Sequence, residues 1–243
     1  MEPKILCEGA FYPKDIALDF SGLHERKIDI DIDRKIKETW VKYKDDKTKS
    51  GGMIWDANTY RLNFLKQTGN KIQLFVGEIP FSVRIGSREH LEELFRLGQD
   101  FFPNGLFLTS FIQTSDGNYL MGHMSGKTTS LSRTGLIGGV LSKDEKEIKT
   151  PEDIFEGMLK EIKEEINIQR EDVTDIYLRS VIQTEKMQAC LLFSIKTSLN
   201  DQNIRDNFTS NEEIIDILIL NKEQLIESLN ALMGYKKIIS TLI

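Results

Sequence analysis

The sequence predicts an α/β (α+β) protein: a mixed-sheet sandwich with helices on its faces, carrying an α/β extension on its N-terminal side. Three observations predict it. Short apolar runs flank turn signals at Gly69-Asn70 and Asp116-Gly117, residue pairs that tolerate the positive φ of tight hairpins. Other stretches repeat apolar residues at helical spacing. The texture changes near Pro103-Asn104, which divides the 243 residues into an expected substrate-side extension over 1–103, packed on the core, and a main domain over 104–243.

Taken in order, Ile32, Ile36, Trp40 and Tyr43 stand at i, i+4, i+8 and i+11, the spacing of an amphipathic helix between Asp31 and Tyr43. The following KDDKTKSGG reads as an exposed loop. YRLNFL and KIQLFVGEI flank Gly69-Asn70 as a hairpin, and Ser87 opens a helical pattern through SREHLEELFRLGQDFF. GLFLTSFIQTSDGNYLMGHM gives two strands about a turn. GLIGGVL is a short apolar strand interrupted by Gly138 and Gly139, and SKDEKEIK is a charged loop. Beyond the next helix, strands are expected around Val173 to Gln183, Ala189 to Thr197 and Ile214 to Leu220, with a polar loop near Asn207 to Asn211 and helices after it.

Composition removes several classes of function. A content of 40% hydrophobic and 29% charged residues is enough to build a core and too apolar for a disordered chain. The net charge of −6 argues against nucleic acid or an acidic membrane as partner, because both are held by excess Lys and Arg. A phosphate-bearing small molecule would then need a metal or a local basic site. Cys7 and Cys190 are far apart and form no disulfide framework or zinc spacing. No apolar run approaches the length of a membrane span and the N-terminus has no signal-like h-region, so a cytoplasmic location is expected. His24, His90 and His123 are scattered without ligand spacing. The sequence leaves the oligomeric state open.

The chemistry concentrates on one helix. Thr150 can cap, Pro151 suits the first turn, and Asp153 occupies the third helical position, where a carboxylate opposes the dipole. Ile154, Phe155, Met158, Leu159, Ile162 and Ile166 then form one apolar stripe. On the same wheel Glu161, Glu164 and Glu165 lie within an arc of roughly 100° that borders the stripe. Two readings fit: a solvated acidic face with a Lys160–Glu164 pair, or three crowded oxygen donors suited to Mg²⁺ or Mn²⁺. Gly157 either leaves room beside the carboxylates or packs closely against another element.

These residues resemble the signature of the Nudix hydrolases, G-x5-E-x7-R-E-U-x-E-E-x-G-U with U aliphatic. Its second half is matched by Lys160-Glu161-Ile162-Lys163-Glu164-Glu165-Ile166-Asn167-Ile168, and Gly138-Gly139 is similar to the family's entry glycines. Glu152 stands at the x7 spacing. The chain departs from the pattern at three places. Lys160 replaces arginine and keeps the charge without the bidentate fork. Asn167 replaces the closing glycine, and asparagine enters the left-handed region more readily than most residues. The interval from Gly139 to Glu152 is seven residues longer than in the family, which places Glu152 inside the helix and leaves Glu145 or Glu147 as loop substitutes. FEGMLKEIKEEINI and the N-terminal TYRLNF and IQLFVGEIPFSVRIG segments are similar to the UDP-glucose pyrophosphatase branch.

The resemblance implies a Mg²⁺-dependent (or Mn²⁺-dependent) pyrophosphohydrolase for a small-molecule nucleotide, with Glu161, Glu164 and Glu165 as metal ligands. A UDP-sugar is the first expectation for substrate; ADP-ribose, NADH or a dinucleoside polyphosphate is the alternative, and a catalytically inactive nucleotide-binding or regulatory module is another. Glu212 and Glu213, before a strand, are candidates for a general base as well as for a solvated loop pair. Lys127 and Arg133 are candidates for phosphate contacts. Trp40, Trp55 and Tyr60 are expected in the N-terminal core, with a nucleobase shelf as the other reading.

Overall fold

Alternating and continuous apolar runs build two sheets in the computed structural model, which describes residues 2–49, 54–125, 134–232 and 234–243. In chain order the elements are β1 (Lys4–Phe11), β2 (Ile16–Asp19), α1 (Ile30–Lys49), β3 (Asn58–Thr68), β4 (Lys71–Pro80), α2 (Phe81–Gly86), α3 (Leu91–Leu97), β5 (Leu106–Gln113) and β6 (Tyr119–Met124). There follow β7 (Thr134–Gly135), α4 (Pro151–Ile166), β8 (Val173–Gln183), β9 (Ala189–Thr197), α5 (Asp201–Asn207), β10 (Ile214–Leu220), α6 (Lys222–Ala231) and α7 (Tyr235–Ile239).

Among the described residues, seven strands form the main sheet in the order β1-β8-β9-β5-β6-β10, with β7 on β6. The central pair β5 and β9 is parallel, from Leu106 opposite Ala189 to Gln113 opposite Lys196, and its neighbours are antiparallel. Both central strands are buried on two faces, which is why ACLLF reads as an unbroken apolar run and not an alternation. A three-stranded sheet, β2-β4-β3, lies beside it. The mixed α+β class expected from the sequence is the class observed.

One face of the main sheet is covered by α4. Ile154, Phe155, Met158, Ile162 and Ile166 are buried there, and Phe155 meets Phe193 edge-on at 5.1 Å. Full burial of such a side chain contributes about 1.5–3 kcal/mol, so this stripe anchors the helix. The opposite face is closed by Leu225, Leu229, Ile239 and Leu242 from the C-terminal helices. Among the described residues no helix is long and apolar enough to cross a membrane.

Several expectations are corrected. The stretch KDDKTK is the last part of α1 and not a loop, since Lys and Asp do not break a helix and Thr48 hydrogen-bonds back to the Lys44 carbonyl at 2.9 Å; Gly51 and Gly52 lie outside the described residues. The turn at Gly117 is real, but β5 and β6 pair only at Gln113 and Tyr119. The glycine segment inserts between them: Ile137 bridges Ser110, Val140 bridges Phe107, and Gly135 pairs with Gly122. GLIGGVL thus begins in the two-residue strand β7 at Gly135 and continues as isolated bridges at Ile137 and Val140. Helix α5 was not read from sequence, and Ser87 begins a short 3₁₀ turn with α3 starting at Leu91.

The expected division at 103/104 is crossed by β1, which pairs with β8 as the edge of the main sheet. The small sheet instead grips the long loop after Gly139. Thr59 bridges Ser142, Lys143 N–H donates to Asn58 O at 2.8 Å, and Ile148 N–H donates to the Tyr60 hydroxyl at 2.8 Å. Lys143 also reaches Glu78 on β4 at 2.5 Å.

Candidate active site

The site is assembled where α4 crosses the glycine segment. At the start of α4, Asp153 accepts hydrogen bonds from the N–H groups of Lys149 at 3.0 Å and Thr150 at 2.9 Å, and pairs with Lys146 at 2.9 Å. The Lys146 contact first, then those two N–H groups, hold its carboxyl well below the usual carboxylate range. At the other end Asn167 closes the helix with φ 57°, the left-handed conformation expected when asparagine replaces glycine.

Gly138 and Gly139 are required by close approach. Gly138 has φ +152°, and a Cβ there would stand 2.2 Å from the Leu108 carbonyl oxygen. A Cβ on Gly139 would stand 2.3 Å from Oε1 of Glu161, so the missing side chain is what lets that carboxylate lie on the loop. The backbone N–H of Gly138 donates to Glu165 Oε2 at 3.0 Å. Gly157, by contrast, packs against Leu141 and Leu108, with its absent Cβ position 2.9 Å from Leu141 Cδ2; close packing explains it, and no space is left beside the carboxylates.

Glu165 is buried, with 6% of its surface exposed. Burial, reinforced by the charge of Glu161 and by Glu213, pushes its carboxyl up to about 8, against the lowering effect of the Gly138 N–H. Burial likewise raises Glu161 to about 7, with Lys160 opposing and Glu213, Glu164 and Glu145 adding to the rise. Glu213 is near enough to hydrogen-bond Glu165 when one of the two carries a proton. Glu161 and Glu165, one helical turn apart, therefore both feel the charge of Glu213 on the loop before β10.

Glu164 is placed differently from the expected trio. It lies 100° around the helix from Glu165, is exposed, and pairs with Lys160 at 3.6 Å. Among the described residues no group of three or more His, Cys, Asp or Glu side chains is arranged as it stands to hold a metal ion. The donor chemistry nevertheless fits a hard divalent cation, because it offers oxygen ligands alone and two of them ionise only against burial and mutual repulsion.

The remaining candidates separate cleanly. Lys160 pairs with Glu145 from the long loop, which puts Glu145 beside the helix, while Glu147 pairs with Lys149 at 2.9 Å and stays away. Glu152 is exposed in the first turn, about 13 Å of helical rise before Glu161, and is not brought to the carboxylates. Glu212 is exposed and contributes its carbonyl, which accepts from Ser125 Oγ at 2.5 Å. Lys127 and Arg133 lie outside the described residues. Trp40 and Tyr60 are core residues, whereas Trp55 is 70% exposed, against expectation.

Asn211 was missed. Its Nδ2 donates to the carbonyls of Glu165 at 2.9 Å and Glu164 at 3.3 Å, and its Oδ1 accepts from the N–H groups of Glu213 at 2.9 Å and Ile214 at 2.8 Å. One side chain thus fixes the Glu213 loop to the end of α4. The available signal was an asparagine poised before a strand, a residue that turns the backbone through its own side chain.

No protein-family model matches the sequence, and no curated protein matches it. Solved structures give loose likenesses. Tm1382, described as a candidate Nudix hydrolase, is 10% identical with a TM-score of 0.45, over 82% of this chain and 94% of that one. A MutT protein from Methanosarcina mazei Go1 is 12% identical with a TM-score of 0.38, over 58% of this chain and 94% of that one. A bifunctional NMN adenylyltransferase/ADP ribose pyrophosphatase from Francisella tularensis is 15% identical with a TM-score of 0.41; the match covers 66% of this chain and 47% of that one.

Proposed function

We propose that the protein is a magnesium-dependent, Nudix-type hydrolase that cuts the pyrophosphate bond of a nucleoside diphosphate derivative. The observation that carries the reading is the convergence of Glu161 and Glu165 on Gly138-Gly139, with Glu213 tied to the end of α4 by Asn211, where one buried and one half-buried carboxyl stand against their own charge. Such an arrangement is unfavourable in a structural helix and useful where a cation and phosphate oxygens are to be held. Glu161 and Glu165, with Glu164 beside them, would hold the ion, and the bound ion would supply charge neutralisation of the phosphoryl oxygens.

The chain's own residues do the rest. Gly138 N–H fixes the orientation of Glu165, and Asn211 fixes Glu213 relative to it. Glu213 is the exposed base: it takes a proton from the attacking water as the water oxygen bonds to phosphorus. The anhydride P–O bond breaks, its electron pair leaves with the departing phosphate, and two phosphate monoesters result. A UDP-sugar, giving UMP and a sugar 1-phosphate, is the substrate favoured by the motif resemblance; ADP-ribose is the competitor.

The test is release of nucleoside monophosphate from UDP-glucose and from ADP-ribose with Mg²⁺ and with EDTA. Glu161→Gln and Glu165→Gln should each lower kcat by about a hundredfold or more, a loss of about 3 kcal/mol in transition-state stabilisation, with circular dichroism unchanged. Undiminished turnover in both variants rejects the assignment.

A further inference from the structure

A second charged cluster, of opposite sign, lies at the end of the main sheet where β5 and β9 begin. Arg84 is fully enclosed: its Nε donates to Gln188 Oε1 at 3.0 Å and its Nη1 to Leu106 O at 3.1 Å. Gln188 in turn donates to the carbonyl of Lys186 at 3.3 Å, in the turn between β8 and β9. Arg88 follows one turn after Arg84, and its buried Nε has no hydrogen-bond partner among the described residues. Lys236, on α7, stands 3.5 Å from the carbonyl of Thr134, on the segment that leads to Gly138.

Hydrogen bonds bring the segments that carry these four cations together: Arg84 holds Gln188, Gln188 closes on the Lys186 carbonyl, and Glu185 holds the Tyr235 N–H beside Lys236. Arg84 is depressed by burial and then by Arg88, Lys186 by burial and then by Arg88, and Lys236 by burial and then by Lys186. None makes an ion pair among the described residues. One acid, Glu185, faces them, and its carboxylate is engaged elsewhere: Oε2 accepts the Tyr235 N–H at 2.9 Å, against Gly234, whose Cβ would collide with it. Gathering like charges away from water is unfavourable unless an anion completes the set. A guanidinium with an unused donor and two flexible ammonium groups match a small anion with several acceptor oxygens.

We propose that Arg88, Lys186 and Lys236 form a binding site for the phosphoryl group of a small molecule, distinct from the carboxylate site. Titration calorimetry of the full chain with inorganic pyrophosphate, in EDTA and low salt, tests it without turnover and so independently of the hydrolase reading. The wild type should bind saturably. Lys186→Gln and Lys236→Gln should each weaken binding about tenfold or more, the loss of one charge-assisted hydrogen bond. Glu185→Gln should tighten it, since the amide oxygen still accepts from Tyr235 while the opposing charge is gone. Lys222→Gln, exposed at the start of α6, is the control and should leave binding unchanged. No saturable binding by the wild type, or equal weakening in the control, overturns the site.

Discussion

Gly138 and Gly139 are adjacent and chemically identical, yet they serve different ends. At Gly138 a side chain would meet backbone, 2.2 Å from the Leu108 carbonyl oxygen, in a conformation L residues rarely adopt. At Gly139 it would meet the tip of a side chain, the Glu161 carboxylate. Gly138→Ala should therefore destabilise the fold, by about 2 kcal/mol or more, and show a lowered Tm. Gly139→Ala should leave Tm nearly in place and lower kcat, because the carboxylate can move but then leaves its position. Equal effects of the two substitutions on both quantities would contradict this division. The pair was legible as glycines beside an acidic helix; which of them serves folding was not, because that depends on atoms of β5 and α4.

Among the elements, α4 was the most legible, and for physical reasons: it is long, capped at both ends, and amphipathic over its whole length. Short elements resisted. The insertion of Ile137 between β5 and β6 leaves no trace in local periodicity, since a turn at Gly117 suits a paired or a splayed hairpin equally. The loop before β10 was legible as polar, but its attachment was not, because one side chain bonding four backbone groups has no repeat to read. Asn211→Ala should thus cost about 1–2 kcal/mol and reduce kcat beyond what Tm loss explains, by releasing Glu213 from α4. Stopped turnover assays alongside thermal melts separate the two effects; activity at the wild-type level would show that the loop needs no such clamp.

For the molecule as a whole, the buried carboxyls set how stability depends on pH without metal. Folded, Glu165 titrates at about 8 and Glu161 at about 7; unfolded, a glutamate titrates near pH 4.3. Between those values the folded chain holds more protons, so metal-free stability falls as pH rises from about 4 to about 8 and levels off above. Asp153 acts in the opposite sense and lower down: its contribution is present above about pH 4 and lost in acid. Melting curves in EDTA should show the neutral-range decline, flattened in Glu165→Gln and by added Mg²⁺. A slope indifferent to that substitution would remove Glu165 as its source.

The edge strand β1 has a bearing on how the chain is made. Lys4 pairs with Gln183 and Phe11 with Leu178, so β1, which is synthesised well before β8, lacks this partner until synthesis has passed those positions. Contacts of such wide sequence separation form late, because closing the intervening chain must precede any gain. Until β8 is made, the side chains of Cys7 and Phe11 lack the cover that the finished sheet gives them, and the open strand edge is exposed to wrong pairing.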